Sequence, residues 1–292
     1  MPGKTIAKMA WYVAKHHPWF PMRRRMLEGV RRSGYAGLGG KTVRVKMRTG
    51  AIMEVDPLDE EGWALLRDRE IQPEVAGVLR DLLHHGDGVL DIGAGYGYFT
   101  LLACGLVGPK GHVYAFEPNL TVANQLAQNV GLNDYTNVRL HKVAVSNEVG
   151  TARFHVAPQH TGLSSLGAPD GEKTTAMQVP TATIDSFASE LPHVKLARID
   201  AGGAELPALE GMHDLIGYDH PYIILEVDSR AIQRVHGDAA GVFSMLHGFN
   251  YATYEVGPRG THPLRAPKGD QRTTVLAAAP GSHVPGLGAA RQ

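Results

Sequence analysis

Apolar and polar residues change rhythm along this chain in a regular way. Thr42 to Met47 alternates apolar with polar positions, and Ala51 to Val55 follows a Thr49-Gly50 turn, which is the pattern of a small hairpin. Asp59 to Leu66 and Pro73 to Leu83 read as helices. In the second, Val75, Val78, Leu79 and Leu82 mark one apolar face. Beyond Gly86-Asp87-Gly88 the rhythm becomes an exchange of short apolar runs with helix-period segments. Strand 89–92 leads to helix 97–107, strand 112–116 to helix 120–131, and a strand near 137–145 to a further one, Ala152 to Val156. Val179 to Ile184 precedes helix Ser186 to Glu190, and Lys195 to Ile199 precedes helix Ala204 to Glu210. Strand Tyr222 to Leu225, helix 237–247, strand Phe249 to Tyr254 and strand Thr273 to Ala278 complete the series.

Such alternation predicts an α/β fold, a doubly wound, mostly parallel sheet with helices on both faces. Ligands of open α/β sheets sit outside the carboxyl ends of the strands, where the strand order reverses. Asp91, Glu117, Asp200 and Glu226 all fall at strand carboxyl ends. That is more acid than structure alone requires there, and it predicts a cationic or polyhydroxyl ligand.

The stretch Val89-Leu90-Asp91-Ile92-Gly93-Ala94-Gly95-Tyr96-Gly97-Tyr98 is a strand, an acid at its tip, and a glycine-dense turn opening a helix. Glycines let the backbone approach a ligand and aim the helix N-terminus at it. The next strand ends in Glu117, 22 positions beyond Gly95, and an acid about 20 residues past such a turn suits ribose hydroxyls. Two cofactors fit: a dinucleotide or S-adenosylmethionine. The dinucleotide pattern GxGxxG is not met, because the glycines are Gly93, Gly95 and Gly97 and the third site is Tyr98. Asp91 suits the ammonium of S-adenosylmethionine better than a pyrophosphate. An ordinary strand-to-helix turn with no ligand is the plain alternative.

Charge and composition narrow the setting. Of 292 residues, 43% are apolar and 20% charged, and Lys plus Arg equals Asp plus Glu at 29 each, so no nucleic-acid partner is expected. The one cysteine, Cys104, excludes intrachain disulfides and suits buried packing. No run reaches the length of a membrane span and no signal peptide is apparent, so a cytoplasmic setting is expected. Residues 1–40 stand apart as an extension: eight Lys or Arg lie between Lys4 and Arg32 against one acid, Glu28, interleaved with Trp11, Tyr12, Trp19 and Phe20. This amphipathic pattern suits a helical cap, with a membrane-surface or acidic-partner segment as the alternative. Residues 41–279 form the expected main domain. Residues 280–292, rich in Gly, Pro and Ala, are expected to be a disordered tail.

With these landmarks placed, the chain resembles the FkbM family of class I methyltransferases over roughly residues 42–278. The ordered series is Val55-Asp56, Leu90 to Gly97, Phe116-Glu117-Pro118-Asn119, Asn129, Gly131, Val143-Ala144-Val145-Ser146, Gly150, Leu163-Ser164-Ser165-Leu166, Thr183-Ile184-Asp185, Arg198 to Glu205, Leu209-Glu210-Gly211 and Ile224 to Val227. The resemblance implies a seven-stranded Rossmann-like sheet and S-adenosylmethionine-dependent O-methylation of a hydroxyl, or a carboxyl, on a small metabolite, natural product or sugar. Asp91, Gly93, Ala94, Gly95 and Gly97, with Tyr98 beside them, would hold the methionine part. Glu117 would hold the ribose, and Pro118, Val143 and Ala144 would rim the adenine. Two departures are visible. Gly202 stands where the family usually has Glu, and Gln72 precedes Pro73 where it often has Glu. Both remove negative charge, which disfavours a carboxylate-bound metal, and none is expected.

For catalysis Asp200 is the first candidate base and Glu226 the second, since a positioned base contributes about 10²–10⁴-fold. Their alternative readings are a cofactor-orienting carboxylate and a helix-terminal acid. His160, Ser164 and Ser165 lie in the polar stretch from Ala157 to Lys173, which reads as a substrate loop or lid. A weak cofactor binder acting through partners and an RNA methyltransferase are the rival functions. The oligomeric state is open.

Overall fold

The computed structural model describes residues 42–157, 164–168, 173–235, 237–266, 269 and 272–287. The expected N-terminal extension 1–40 and His160 lie outside the described residues. The chain divides into two compact units, Met1–Glu70 and Ile71–Gln292.

In the first unit, β1 (Val43–Lys46) and β2 (Ile52–Val55) form an antiparallel hairpin with Val43 opposite Val55. Gly50 takes φ +93° in its turn. Helix α1 (Glu60–Asp68) starts at Asp59, whose side chain accepts from the Gly62 amide at 3.0 Å, and it ends on Arg69 in the left-handed conformation.

The second unit begins with α2 (Pro73–Leu82), where proline at the first turn loses no hydrogen bond and Val75, Val78, Leu79 and Leu82 are buried. Then come β3 (Gly88–Ile92), α3 (Tyr98–Val107), β4 (His112–Phe116), α4 (Leu120–Gly131) and β5 (Val138–His141). A smaller sheet of β6 (Ala144–Val145), β7 (Gly150–Val156) and β8 (Thr175–Ala182) follows, in the order β6-β8-β7. The chain returns through β9 (Val194–Ile199), α5 (Glu205–Glu210), α6 (His213–Asp219), β10 (Tyr222–Val227), α7 (Ser229–Arg234) and α8 (Ala239–Gly248). Strands β11 (Ala252–Gly257), β12 (Gly260–Pro263) and β13 (Thr273–Ala278) end it.

The large sheet runs β12-β11-β13-β10-β9-β3-β4-β5. The neighbours from β10 to β5 pair in parallel, and β13 is antiparallel to β10 and β11. This is the expected Rossmann-like arrangement with an added edge strand, β12, because Gly260 turns the chain back on β11. On one side, Leu90, Ile92, Ile199 and Leu225 pack with Leu209, Met212, Ile216, Val242 and Leu246 in the main core. On the other, Ala94 and Ala115 meet Leu126 of α4. From β3 the chain steps to β4 and β5 in one direction, then resumes at β9 and β10 on the other flank. The strand order therefore reverses between β3 and β9.

Several details differ from expectation. The strand expected near 137–145 is two. It breaks after His141, and Ala144–Val145 leave the large sheet to pair with Thr181–Ala182. The helix expected over 186–190 is one 3-10 turn, Asp185–Phe187. Asp185 instead caps α6, accepting from the amides of Asp214 and Leu215 at 3.0 Å each. Helices α6 and α7 were not expected. Within the supposed tail, residues 280–287 are held: Tyr222 Oη donates to the His283 carbonyl at 2.8 Å, and the Thr261 amide to the Gly286 carbonyl at 3.2 Å. Polar backbone groups find sheet-edge partners there despite the Gly- and Pro-rich composition. No helix among the described residues is long and apolar enough to cross a membrane.

Candidate active site

The site grows from the glycine turn at the switch point. The amides of Gly93 and Ala94 both donate to the Phe116 carbonyl, at 2.9 and 3.0 Å, which ties the turn to the tip of β4. Gly93, Gly95 and Gly97 take φ of +77°, +56° and +92°, a region L side chains rarely adopt. Glu117 follows β4 directly and is 7% exposed. Its Oε2 accepts from the Gly95 amide at 3.0 Å and its Oε1 from the Asn119 amide at 2.9 Å. Burial pushes its carboxyl up to about 7, with the Asp91 and Asp200 charges adding to the rise and the two amides opposing it. Tyr98 is a core residue, 2% exposed, with its ring edge-on to Phe99 at 5.0 Å, so its side chain does not line the turn as expected. It points into the helix packing because α3 buries nearly every side it has.

Asp91 differs from expectation as well. It is 2% exposed and both oxygens are engaged, Oδ2 by the Thr100 hydroxyl at 2.6 Å and Oδ1 by Arg198 Nη1 at 2.9 Å. An internal guanidinium holds the place the sequence assigned to a ligand ammonium. Arg198 also donates from Nη2 to Asp200 Oδ2 at 2.8 Å and lies over the Phe99 ring, 4.3 Å from its centroid. Burial opposes the charge on Arg198, but Asp91 and Asp200 outweigh it and hold the group above its ordinary range.

Asp200 and Glu226, at the ends of neighbouring β9 and β10, do come together, bridged by a residue the sequence did not single out. Arg272 Nη2 stands 3.9 Å from Asp200 Oδ1, and its Nε is paired with Glu226 Oε1. Glu226 Oε2 accepts from Gln72 Nε2 at 2.9 Å. Burial, then the Asp200 charge, push the Glu226 carboxyl up against the pull of Arg272 and Arg198. Arg198 had a readable signal, a charge inside the buried half of its strand and two residues before Asp200. Arg272 had none, because it sits in a connection whose place is set by how β13 joins the sheet.

The remaining expectations separate. Ser164 Oγ accepts from the Ala157 amide at 3.1 Å, and Ser165 Oγ bonds both the carbonyl and the amide of Gly167, at 2.9 and 3.0 Å. Both hydroxyls thus build the turn itself, which is the role short hydroxyl side chains take in tight loops. Their backbone lies against Gly202, where an added Cβ would meet Ser164 O and Ser165 Cβ at 3.0 Å each. Gly202 has φ +62°, so this position is both left-handed and covered. Glu205, the last residue of the Arg198 to Glu205 series, is 1% exposed. Its Oε1 accepts from the amides of Ala201 and Gly203 at 3.1 Å each and orders the loop after β9. Burial pushes its carboxyl up to about 7. Pro118 and Ala144 are buried and Val143 is half-buried at the β4 and β5 ends. Cys104 is 1% exposed, and burial pushes its thiol up to about 12, out of reach of nucleophilic chemistry.

Comparison with known proteins places the chain in a family. The methyltransferase FkbM domain matches residues 91–254, from the acid ahead of the glycine turn to β11. Methyltransferase 1 of Beauveria bassiana is 26% identical over 146 residues, covering 43% of this chain and 58% of that protein. The protein-L-isoaspartate O-methyltransferase of Aeropyrum pernix is 33% identical over 173 residues, covering 56% of this chain and 64% of that protein. The chain thus spans less than two thirds of the length of these relatives. Among solved structures, the FkbM methyltransferase of Methylobacillus flagellatus superposes with a TM-score of 0.43 at 16% identity, over 66% of this chain and 43% of that one. With its domain matched over more than half of its length, this chain belongs to the methyltransferase FkbM family.

Proposed function

We propose that the protein is an S-adenosylmethionine-dependent O-methyltransferase acting on a hydroxyl, or a carboxyl, of a small metabolite, natural product or sugar. The observation that carries the reading is the cluster of Asp200, Glu226 and Arg272 at adjacent strand ends, joined through Arg198 to the glycine turn at the switch point. The residues fit the donor. Glu117 is fixed by two backbone amides, and an ionised carboxylate keeps further acceptor sites free for two vicinal ribose hydroxyls. The left-handed glycines let the turn pack against Asp200 and Leu126, beside which the methionine part would lie, and Pro118, Val143 and Ala144 would rim the adenine. When bound, the donor supplies an electrophilic methyl: the acceptor oxygen forms the new C–O bond, the S–C bond breaks with its electron pair kept by sulfur, and the acceptor's proton leaves to a base.

The chain's own part is placement and proton removal. Bringing acceptor and methyl into line at about 3 Å supplies several kcal/mol. Asp200 holds one oxygen on Arg198, which leaves Oδ1, with its long contact to Arg272, as the oxygen able to take a proton. Glu226 has both oxygens engaged and serves to hold Arg272 in place. Oxygen as the accepting atom is also in keeping with the names of the isoaspartate O-methyltransferases to which the chain is similar.

The test is untargeted mass spectrometry of a pool of hydroxylated and carboxylated metabolites incubated with the protein and S-adenosylmethionine. Gain of one methyl on an oxygen supports the reading. Methylation of carbon or nitrogen, or of RNA with a steep salt dependence, replaces it.

A further inference from the structure

Arg198 ties three segments with one planar group. Its Nη1 donates to Asp91 Oδ1 at 2.9 Å and to the Gly93 carbonyl at 3.3 Å, and its Nη2 donates to Asp200 Oδ2 at 2.8 Å. The side chain is only 9% exposed and stacks on Phe99, so packing and pairing fix it together. The end of β3, the glycine turn and the end of β9 are therefore set relative to one another by a single guanidinium. A lysine ammonium, a point charge without the fork, does not span both carboxylates. Asp91, 2% exposed, has each oxygen already in a hydrogen bond within the protein, Oδ1 with Arg198 and Oδ2 with Thr100.

We infer that Arg198 is a positioning residue that couples the donor turn to Asp200, and that Asp91 serves the donor only by holding Arg198. This rests on the donor reading above. Two residues acting in series lose their effect together, whereas an Asp91 touching the donor directly would add its own loss to that of Arg198.

The experiment is a double-mutant cycle on the full chain, titrating S-adenosylmethionine calorimetrically into wild type, Asp91→Asn, Arg198→Lys and the double variant, with a thermal scan to confirm folding. Each single change should weaken binding about 10-fold, and the double change by about the same factor. Losses that multiply to about 100-fold, or singles that bind like wild type, overturn the inference and leave the donor reading standing. A wild type that does not bind overturns both. Should a variant fail to fold, the wild type decides by nuclear magnetic resonance. With 15N-labelled arginine, the Arg198 Nη protons should stay slowly exchanging before and after donor is added. Their collapse into fast exchange on adding donor means that Asp91 has turned to the ligand, and overturns the inference. Arg198→Lys should also lower kcat more than it raises the acceptor KM, a split that a purely structural ion pair does not produce.

Discussion

A Cβ placed on Gly93 would stand 1.9 Å from the carbonyl oxygen of Asp200. The first glycine of the turn is therefore required by the backbone of β9's end. The Asp200 amide returns the contact, donating to the Ile92 carbonyl at 2.9 Å. The candidate base and the donor turn are thus in direct backbone contact, and neither can shift without the other.

Gly93→Ala should destabilise the protein by about 3 kcal/mol, combining the overpacking and left-handed backbone penalties. Urea unfolding of the purified variant measures it. A loss below about 1 kcal/mol would mean that the turn and Asp200 separate easily.

Glu117 carries a pH dependence whose sign is fixed by its environment. Its folded carboxyl titrates at about 7, above the unfolded value of 4.5, so the folded state holds the proton more tightly. Its contribution to stability is present below the unfolded value and is lost as pH rises toward about 7. Donor affinity should move the opposite way and strengthen as pH rises through about 7, because the ionised form accepts from ribose hydroxyls. Glu117→Gln should remove both trends and weaken S-adenosylmethionine binding about 10-fold or more, since it removes charge-assisted bonds. Calorimetric titrations at several pH values, with thermal scans alongside, check this.

Asp200→Asn should lower kcat by about 10²–10⁴-fold while donor affinity stays within a few-fold. Glu226→Gln should cost much less, because the amide oxygen can still accept from Arg272 and the Asp200–Arg198 bond is untouched. Single-turnover rates compare the two. A larger loss in the Glu226 variant would exchange their roles.

Gly202→Glu, which restores the acid of the family, should not raise activity. Its Cβ meets Ser164 O and Ser165 Cβ at 3.0 Å each and its φ is +62°, so the change should cost about 1–3 kcal/mol. A thermal shift assay reads the loss directly.

By itself the sequence determined the layers and the four carboxylates at strand ends, while the sheet order fixed where the strand order reverses. Periodicity reports which face is buried, and a strand's last residue must face the ligand edge of the sheet. The glycine turn and Glu117 were legible for the same reason, as local spacing along one βαβ unit. Only the tertiary structure decided what those carboxylates touch. It gave Asp91 to Arg198, made Tyr98 and Glu205 interior, turned the Ser164 and Ser165 hydroxyls inward, and brought Arg272 and Gln72 to Glu226. Each of these depends on groups far apart in the chain whose partners are chosen by burial, where an ion or polar atom left without a partner costs several kcal/mol. Such a choice is made by the packed sheet as a whole and has no signature in the spacing of residues along it.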